Sequence, residues 1–106
     1  MVSNFISINK SNISIINNLI SKFSNENQHF RYFESRDPKT IIENHLYTCV
    51  FSVSDIIVGY GHLDRDNDKV WLGMFVLKNF QKKGYGLLIL ENLIKIARKY
   101  KLKDIF

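Results

Sequence analysis

The hexapeptide Gln81-Lys82-Lys83-Gly84-Tyr85-Gly86 has the residue types and spacing to bind an anion. An apolar, strand-like run, Val70 to Leu77, leads into it, and an amphipathic, helix-like run, Leu87 to Tyr100, leads out. A strand, a short basic loop with glycines and a helix together make a phosphate site. Backbone N–H groups at a helix start have no intrahelical acceptors and carry the positive end of the helix dipole. Glycine lets an anion approach the backbone closely, and Lys82 and Lys83 add charge nearby. The spacing excludes the Walker loop, because GxxxxGK[ST] is absent. It also excludes the Rossmann loop: Leu87, Leu88 and Ile89 follow Gly84-x-Gly86, so the third glycine of GxGxxG is missing.

Other chemistry is sparse. Cys49 is the only cysteine, so no internal disulfide forms. It lies in a strand-like run with no partnered base, and a buried, inert thiol is expected. His29, His45 and His62 sit in no metal-ligand spacing, so no metal site is expected. The formal net charge of +5 points only weakly to an anionic partner. Basic residues are densest from Lys78 to Lys83 and from Lys95 to Lys103, which favours a local anion site over a uniformly basic surface. No RNP-type aromatic motif, GxxG clamp or helix-turn-helix signature is present, so no nucleic-acid partner is expected. No apolar run reaches the roughly 18 residues of a membrane span. The first residues, Met1 to Phe5, do not form a signal peptide, and a cytoplasmic location is expected.

The elements that must position the loop can be traced along the chain. With 106 residues, 45% hydrophobic and 24% charged, it is expected to form one domain over 1–106 with one core. Phe5, Ile6 and Ile8 suggest a first strand. Ser11 or Asn12 can cap a helix, in which Ile13, Ile16, Leu19, Ile20 and Phe23 recur at helical spacing. An aromatic cluster, Phe30-Arg31-Tyr32-Phe33, has no clear period. Asp37 and Pro38 read as N-cap and first residue of a second helix to about Asn44. Strands over Tyr47–Val53, Ile56–Leu63 and Val70–Leu77 follow as an antiparallel meander, with a tight turn at Ser54-Asp55. The later helix puts Leu87, Leu90, Ile94 and Ala97 on one face, with Ile89, Leu93 and Ile96 beside them. Lys103 to Phe106 begins a further strand.

The loop Q-x-x-G-x-G after an apolar strand resembles the [RQ]xxGx[GA] pyrophosphate motif of the GNAT superfamily of acyl-CoA N-acyltransferases. The order β-α-α-β-β-β-α-β is that fold through its fifth strand. The resemblance implies an α+β fold: a mixed, mostly antiparallel sheet with helices on both faces, here incomplete at its C-terminal end. The usual next helix and strands carry an Asn and a Tyr that often protonates the leaving thiolate, and they lie beyond Phe106.

By that resemblance the cofactor is acetyl-CoA or another acyl-CoA. Met74, Phe75 and Val76 would pair with its pantetheine arm. Gln81, Lys82, Lys83, Gly84, Tyr85, Gly86 and Leu87 would take the pyrophosphate, with the lysines acting as point charges. Gly73 suits a bulge or close approach, or merely relieves packing. The expected reaction moves an acetyl or acyl group to the primary amine of a small molecule. It needs a neutral amine, a donor to the thioester oxygen and a proton source for the thiolate. A backbone N–H near Met74 or Phe75 would be the donor. His62 is the candidate base, ahead of Glu34 and His45, and it can equally be a satisfied strand histidine. Phe30, Arg31, Tyr32 and Phe33 are the candidate acceptor wall, or else core residues under a loop. Without the family's tyrosine the chain is expected to be a weak catalyst or inactive. The alternative is a non-catalytic CoA-binding or assembly module.

A sheet ending after its fifth strand leaves an unpaired edge that recruits another chain, so a homo-oligomer is expected. Light scattering over a concentration series checks this. A constant mass at the monomer value of 12.5 kDa contradicts it.

Overall fold

The computed structural model describes residues 2–25, 42–43, 45–66 and 69–99. Its elements are β1 (Ser3–Ser7), α1 (Ser14–Asn25), β2 (His45–Val53), β3 (Ile56–Asp66), β4 (Lys69–Val76) and α2 (Tyr85–Lys99). Short 3-10 turns stand at Lys10–Asn12 and Lys78–Phe80. The four strands form one sheet in the order β1-β2-β3-β4, antiparallel throughout. Ile42 and Glu43 are helical, within the expected second helix. The aromatic cluster at 30–33 and the expected last strand at 103–106 lie outside the described residues.

The β2–β3 hairpin closes through Ser54 (φ 51) and Asp55 (φ 68), both left-handed. Two such residues match the twist of the flanking strands. A bulge follows: Phe51 pairs with Gly59 and Ser52 with Ile57, leaving Val58 unpaired. The extra residue turns Val58 toward the same face as Phe51 and Leu63. Residues 48–53 and 58–63 are buried on both sides of the sheet, which explains their near-continuous apolar sequence.

The helices lie on opposite faces, as expected. Ile16 and Leu19 of α1 pack with Ile8, Val50, Tyr60 and Phe75. Ile89, Leu93 and Ala97 of α2 pack with Cys49, Phe51, Val58, Leu63 and Val70. Glycines in β3 set the spacing of the second pair. A Cβ at Gly59 would lie 2.6 Å from Ile89 Cδ1, and one at Gly61 would lie 2.9 Å from Ile89 Cγ2 and 3.0 Å from Leu93 Cδ1. The helix sits in the groove those missing side chains leave.

That seating corrects the expected helix face. α2 starts at Tyr85, ahead of Leu87, and its buried line is Ile89, Leu93 and Ala97. Leu87 is 60% exposed and Leu90 and Ile94 are half-buried, because Ile89 and Leu93 occupy the glycine groove instead. The cap at α1 also differs. Asn9 caps the 3-10 turn before it, accepting from Ser11 N–H at 2.9 Å, while Asn12 Oδ1 accepts from Asn9 N–H at 2.8 Å. β2 starts at His45 rather than Tyr47, and Leu77 lies beyond the end of β4.

Gly61→Ala should force Ile89 and Leu93 to move and cost about 1–3 kcal/mol, the usual penalty for overpacking a core. Denaturant unfolding measures it. A neutral result would show that α2 can lift off the sheet freely.

Candidate functional site

The loop between β4 and α2 is built from the backbone outward. After the 3-10 turn, Lys82 (φ 64) and Gly84 (φ 83) are both left-handed. This conformation costs a residue with a side chain roughly 1–2 kcal/mol, and glycine much less. Glycine at 84 also leaves the helix start without a side-chain cap. Leu88 N–H donates to Gly84 O at 3.2 Å, the first bond of the helix. The N–H groups of Tyr85, Gly86 and Leu87 belong to the first turn, where a helix offers no acceptor. Lys82 and Lys83 are exposed beside them.

This helix end lies against β4. A Cβ at Gly86 would meet Met74 Cε at 3.6 Å and Val76 Cγ2 at 3.9 Å, ordinary contacts. An alanine therefore fits at 86, as the [GA] of the motif allows. The Tyr85 ring packs on Phe51 with centroids 5.6 Å apart, tying the helix start to β2.

β4 is an edge of the described sheet, and the register shows which of its backbone groups face outward. Leu77 N–H donates to Val58 O at 2.9 Å, one step beyond the Gly59–Val76 pair. Antiparallel pairs alternate, so Phe75 exchanges bonds with Tyr60, while Met74 and Val76 turn their N–H and C=O to the outer edge. Gln81 uses one of these groups: its Nε2 donates to Val76 O at 2.9 Å. The two candidate oxyanion donors thus separate. Phe75 N–H is directed into the sheet, and Met74 N–H points out of it.

His62 lies on the α1 face and is 2% exposed. Sheet register sets Thr48, His62 and Gly73 in one row, with Val50, Tyr60 and Phe75 in the next. A 2.7 Å hydrogen bond joins Tyr60 Oη and His62 Nδ1. His45 stacks on His62 with ring centroids 4.4 Å apart, and its Nδ1 shares a 2.7 Å hydrogen bond with Thr48 Oγ1. Burial pushes the His45 pKa down from 6.5 to about 4, against the raising effect of Asp64.

Cys49 is buried on the α2 face. Burial raises its pKa to about 11, against the lowering effect of hydrogen bonds from Tyr47, Asn92 and Gly61. It is the inert thiol expected. No group of three metal-ligating side chains occurs among the described residues, and none of their helices is long and apolar enough to cross a membrane.

The structure thus brings Met74, Val76, Gln81, Gly84, Tyr85, Gly86 and Leu87 together at one corner and sets His62 on the other side of the sheet. Phe30, Arg31, Tyr32 and Phe33 lie outside the described residues. Sequence reading missed Tyr60 as the partner of His62 and Gln81 as the brace on Val76. The two-residue spacing of Tyr60 and His62 puts them on one strand face, and that signal was available.

The family model described as Acetyltransferase (GNAT) family matches residues 13–106. No curated protein matches the chain in sequence. Among solved structures, an aminoglycoside acetyltransferase from an uncultured soil metagenomic sample matches at TM-score 0.73 and 13% identity, over 100% of this chain and 78% of its own. A GNAT family acetyltransferase from Staphylococcus aureus matches at TM-score 0.74 and 16% identity, over 99% of this chain and 84% of its own. AAC(6')-Iy, in complex with a CoA-containing bisubstrate analogue, matches at TM-score 0.71 and 15% identity, over 100% of this chain and 78% of its own. At these identities the likeness shows a shared fold.

The His45 shift predicts a pH dependence of stability. Folded His45 stays neutral down to about pH 4, whereas an unfolded histidine protonates below 6.5. Between those values the unfolded chain binds more protons, so stability falls as pH drops. Urea midpoints at pH 7 and pH 5 measure this. His45→Gln should flatten the fall, and an unchanged slope would contradict the assignment.

Proposed function

The chain belongs to the acetyltransferase (GNAT) family, and we propose that it binds an acyl-CoA, acetyl-CoA foremost, and transfers the acyl group to a primary amine of a small molecule. One observation carries this reading. The start of α2, with no side-chain cap from Gly84, lies over the Met74 and Val76 side chains of β4, close enough that a Cβ at Gly86 would meet both. An anion on the first-turn amides is therefore adjacent to a strand edge whose N–H and C=O groups can pair with an extended chain. Coenzyme A has that shape, a pyrophosphate continued by an amide-bearing arm.

Each part then has a task. The amides of Tyr85, Gly86 and Leu87 take the pyrophosphate, with Lys82 and Lys83 beside it. A helix end of this kind contributes ~0.3–1 kcal/mol per charge, and up to ~2 when partly buried. Met74 and Val76 pair with the arm, and Gln81 keeps the Val76 carbonyl oriented. The acyl thioester lies at the far end of the arm, upstream on β4. Met74 N–H donates to its oxygen as negative charge develops there. The amine nitrogen attacks the carbonyl carbon, the C–S bond breaks, and the amine gives up one proton. His62 is the proposed acceptor of that proton.

Calorimetry with CoA tests the placement. Gly86→Ala should bind CoA about as well as wild type, because a methyl group fits. Gly86→Asp should bind at least about tenfold more weakly, ~1.4 kcal/mol. Equal affinity for the Asp variant would refute the placement. Acetyl-CoA with polyamines, amino sugars and amino acids, followed by mass spectrometry of the amide, tests transfer. CoA binding with no amide from any amine would leave a CoA-binding module.

A further inference from the structure

We propose that the outer edge of β1 is an interface at which a second copy of this chain adds its own β1, antiparallel, with Phe5 facing its counterpart across a two-fold axis. This goes beyond the acyl-transfer reading and does not depend on it. The first observation is the hydrogen-bond parity of the edge. β1 closes one side of the described sheet, opposite β4. Ser54 N–H donates to Val2 O at 2.7 Å and Ile8 N–H to Thr48 O at 2.8 Å, on either side of the ladder from Ser3–Val53 to Ser7–Cys49. Bonded pairs alternate in an antiparallel ladder. Asn4 and Ile6 therefore bond to β2, while Ser3, Phe5 and Ser7 turn N–H and C=O outward. Asn12 Nδ2 donates to Ser7 O at 2.9 Å. The other outward groups have no partner among the described residues.

The second observation is that nothing shields this edge. Ser3, Asn4, Phe5 and Ser7 are exposed. Edge strands that must stay single are blunted by a lysine, a proline or a bulge. β1 has none of the three: it reads Ser-Asn-Phe-Ile-Ser, and its register with β2 runs without a shift. Phe5 is 37% exposed, and Val2, just before the strand, is 69% exposed. Charge selects the occupant. From Val2 to Asn9 no side chain is charged, although the chain as a whole carries a formal +5. Two copies therefore meet here without like charges facing each other, whereas an acidic partner would find no cation on the strand to pair with.

The register follows from the parity. A two-fold axis through residue 5 pairs Phe5 with Phe5, Ser3 with Ser7 and Asn4 with Ile6. Every outward group is then used: Phe5 exchanges both bonds with its counterpart, and Ser3 does so with Ser7 of the second copy. Ser7 O takes this bond beside the one from Asn12, as a carbonyl with two lone pairs can. The two Phe5 side chains stand on the same face of the joined sheet, with Cα atoms about 5.5 Å apart. Phe5 already packs on Phe51 with centroids 4.7 Å apart, and Phe51 on Tyr85 at 5.6 Å. The pairing continues that aromatic row from one copy into the next, and aromatic cross-strand pairs stabilise a ladder. β4 and the loop after it stay at the far edge of each copy.

Sedimentation velocity of the full chain over a concentration series should show a monomer–dimer equilibrium. Phe5→Lys, which sets two ammonium groups face to face, should shift it to monomer. Cysteine cross-linking reads the register. Phe5→Cys should give a disulfide-linked dimer under mild oxidation, because a Cα separation of about 5.5 Å lies within disulfide range. Ser3→Cys should not link to itself, since its two copies lie roughly 13 Å out of step along the strands. Mixed with Ser7→Cys it should link across the pair. Cys49 is buried and stays out of the exchange. If Phe5→Lys does not fold, the cysteine variants carry the test. A wild-type chain that stays monomeric at every concentration overturns the proposal. A dimer that persists in Phe5→Lys and gives no cross-link through position 5 also overturns it, and puts the contact on another surface. Self-linking of Ser3→Cys as efficient as that of Phe5→Cys overturns the register.

Discussion

The two glycines facing α2 in β3 set the distance between helix and sheet, and the corner proposed to bind the anion depends on that distance. Ile89 and Leu93 occupy the room left at Gly59 and Gly61. A helix is stiff along its axis, so contacts at 89 and 93 also fix where its first turn ends up. They set the first turn of α2 over the Met74 and Val76 side chains of β4, where a Cβ at Gly86 would meet both in ordinary contact. Larger residues at 59 and 61 would lift the helix and separate the two halves of the corner, with every loop residue unchanged. The phosphate motif and the paired glycines upstream of it therefore act as one device. A stretch of β3 far along the chain sets where the loop and the helix start come to lie.

The sheet separates two environments. Its α2 face is apolar, with Cys49, Phe51, Val58, Leu63 and Val70 under the helix. Its α1 face carries a buried polar row, in which Tyr60, His62, His45 and Thr48 bond or stack with one another. Buried polar groups without partners are costly, and here each finds one; no buried side-chain polar atom among the described residues lacks a hydrogen bond. Strand alternation makes this division possible. Residues 59, 61 and 63 face one helix, while 60 and 62 face the other, so glycines for packing and hydrogen-bonded polar side chains interleave in one strand.

Much of this was legible in the sequence. The three central strands, the tight turn at Ser54-Asp55 and the helix after the glycine loop all follow from local patterns. The loop spacing alone distinguished this corner from other phosphate loops. The misreadings have physical causes. The α2 face was misplaced because Leu87, Leu90, Ile94 and Ala97 form as good an apolar stripe as Ile89, Leu93 and Ala97. Periodicity cannot tell which stripe meets the sheet. Asn9 was missed as a cap because a 3-10 turn intervenes before α1, and nothing in the local pattern announces it. The Val58 bulge was equally hidden, since an extra residue in a run buried on both faces leaves the apolar pattern intact.

The sequence by itself determined the fold family and the loop on which the proposed anion site rests, because both depend on local features: glycine spacing, basic residues, a strand before and a helix after. It also showed that these 106 residues hold no second cysteine to pair with Cys49. Only the tertiary structure decided which carbonyl Gln81 braces, which of Met74 and Phe75 turns its N–H outward, and which residue His62 leans on. Each of these depends on hydrogen-bond parity and on the approach of one strand or helix to another. Those quantities belong to pairs of segments distant in the chain. Tyr60, His62 and Gly73 are a tyrosine, a histidine and a glycine in any listing of residues; the antiparallel register of β3 and β4 makes them a unit.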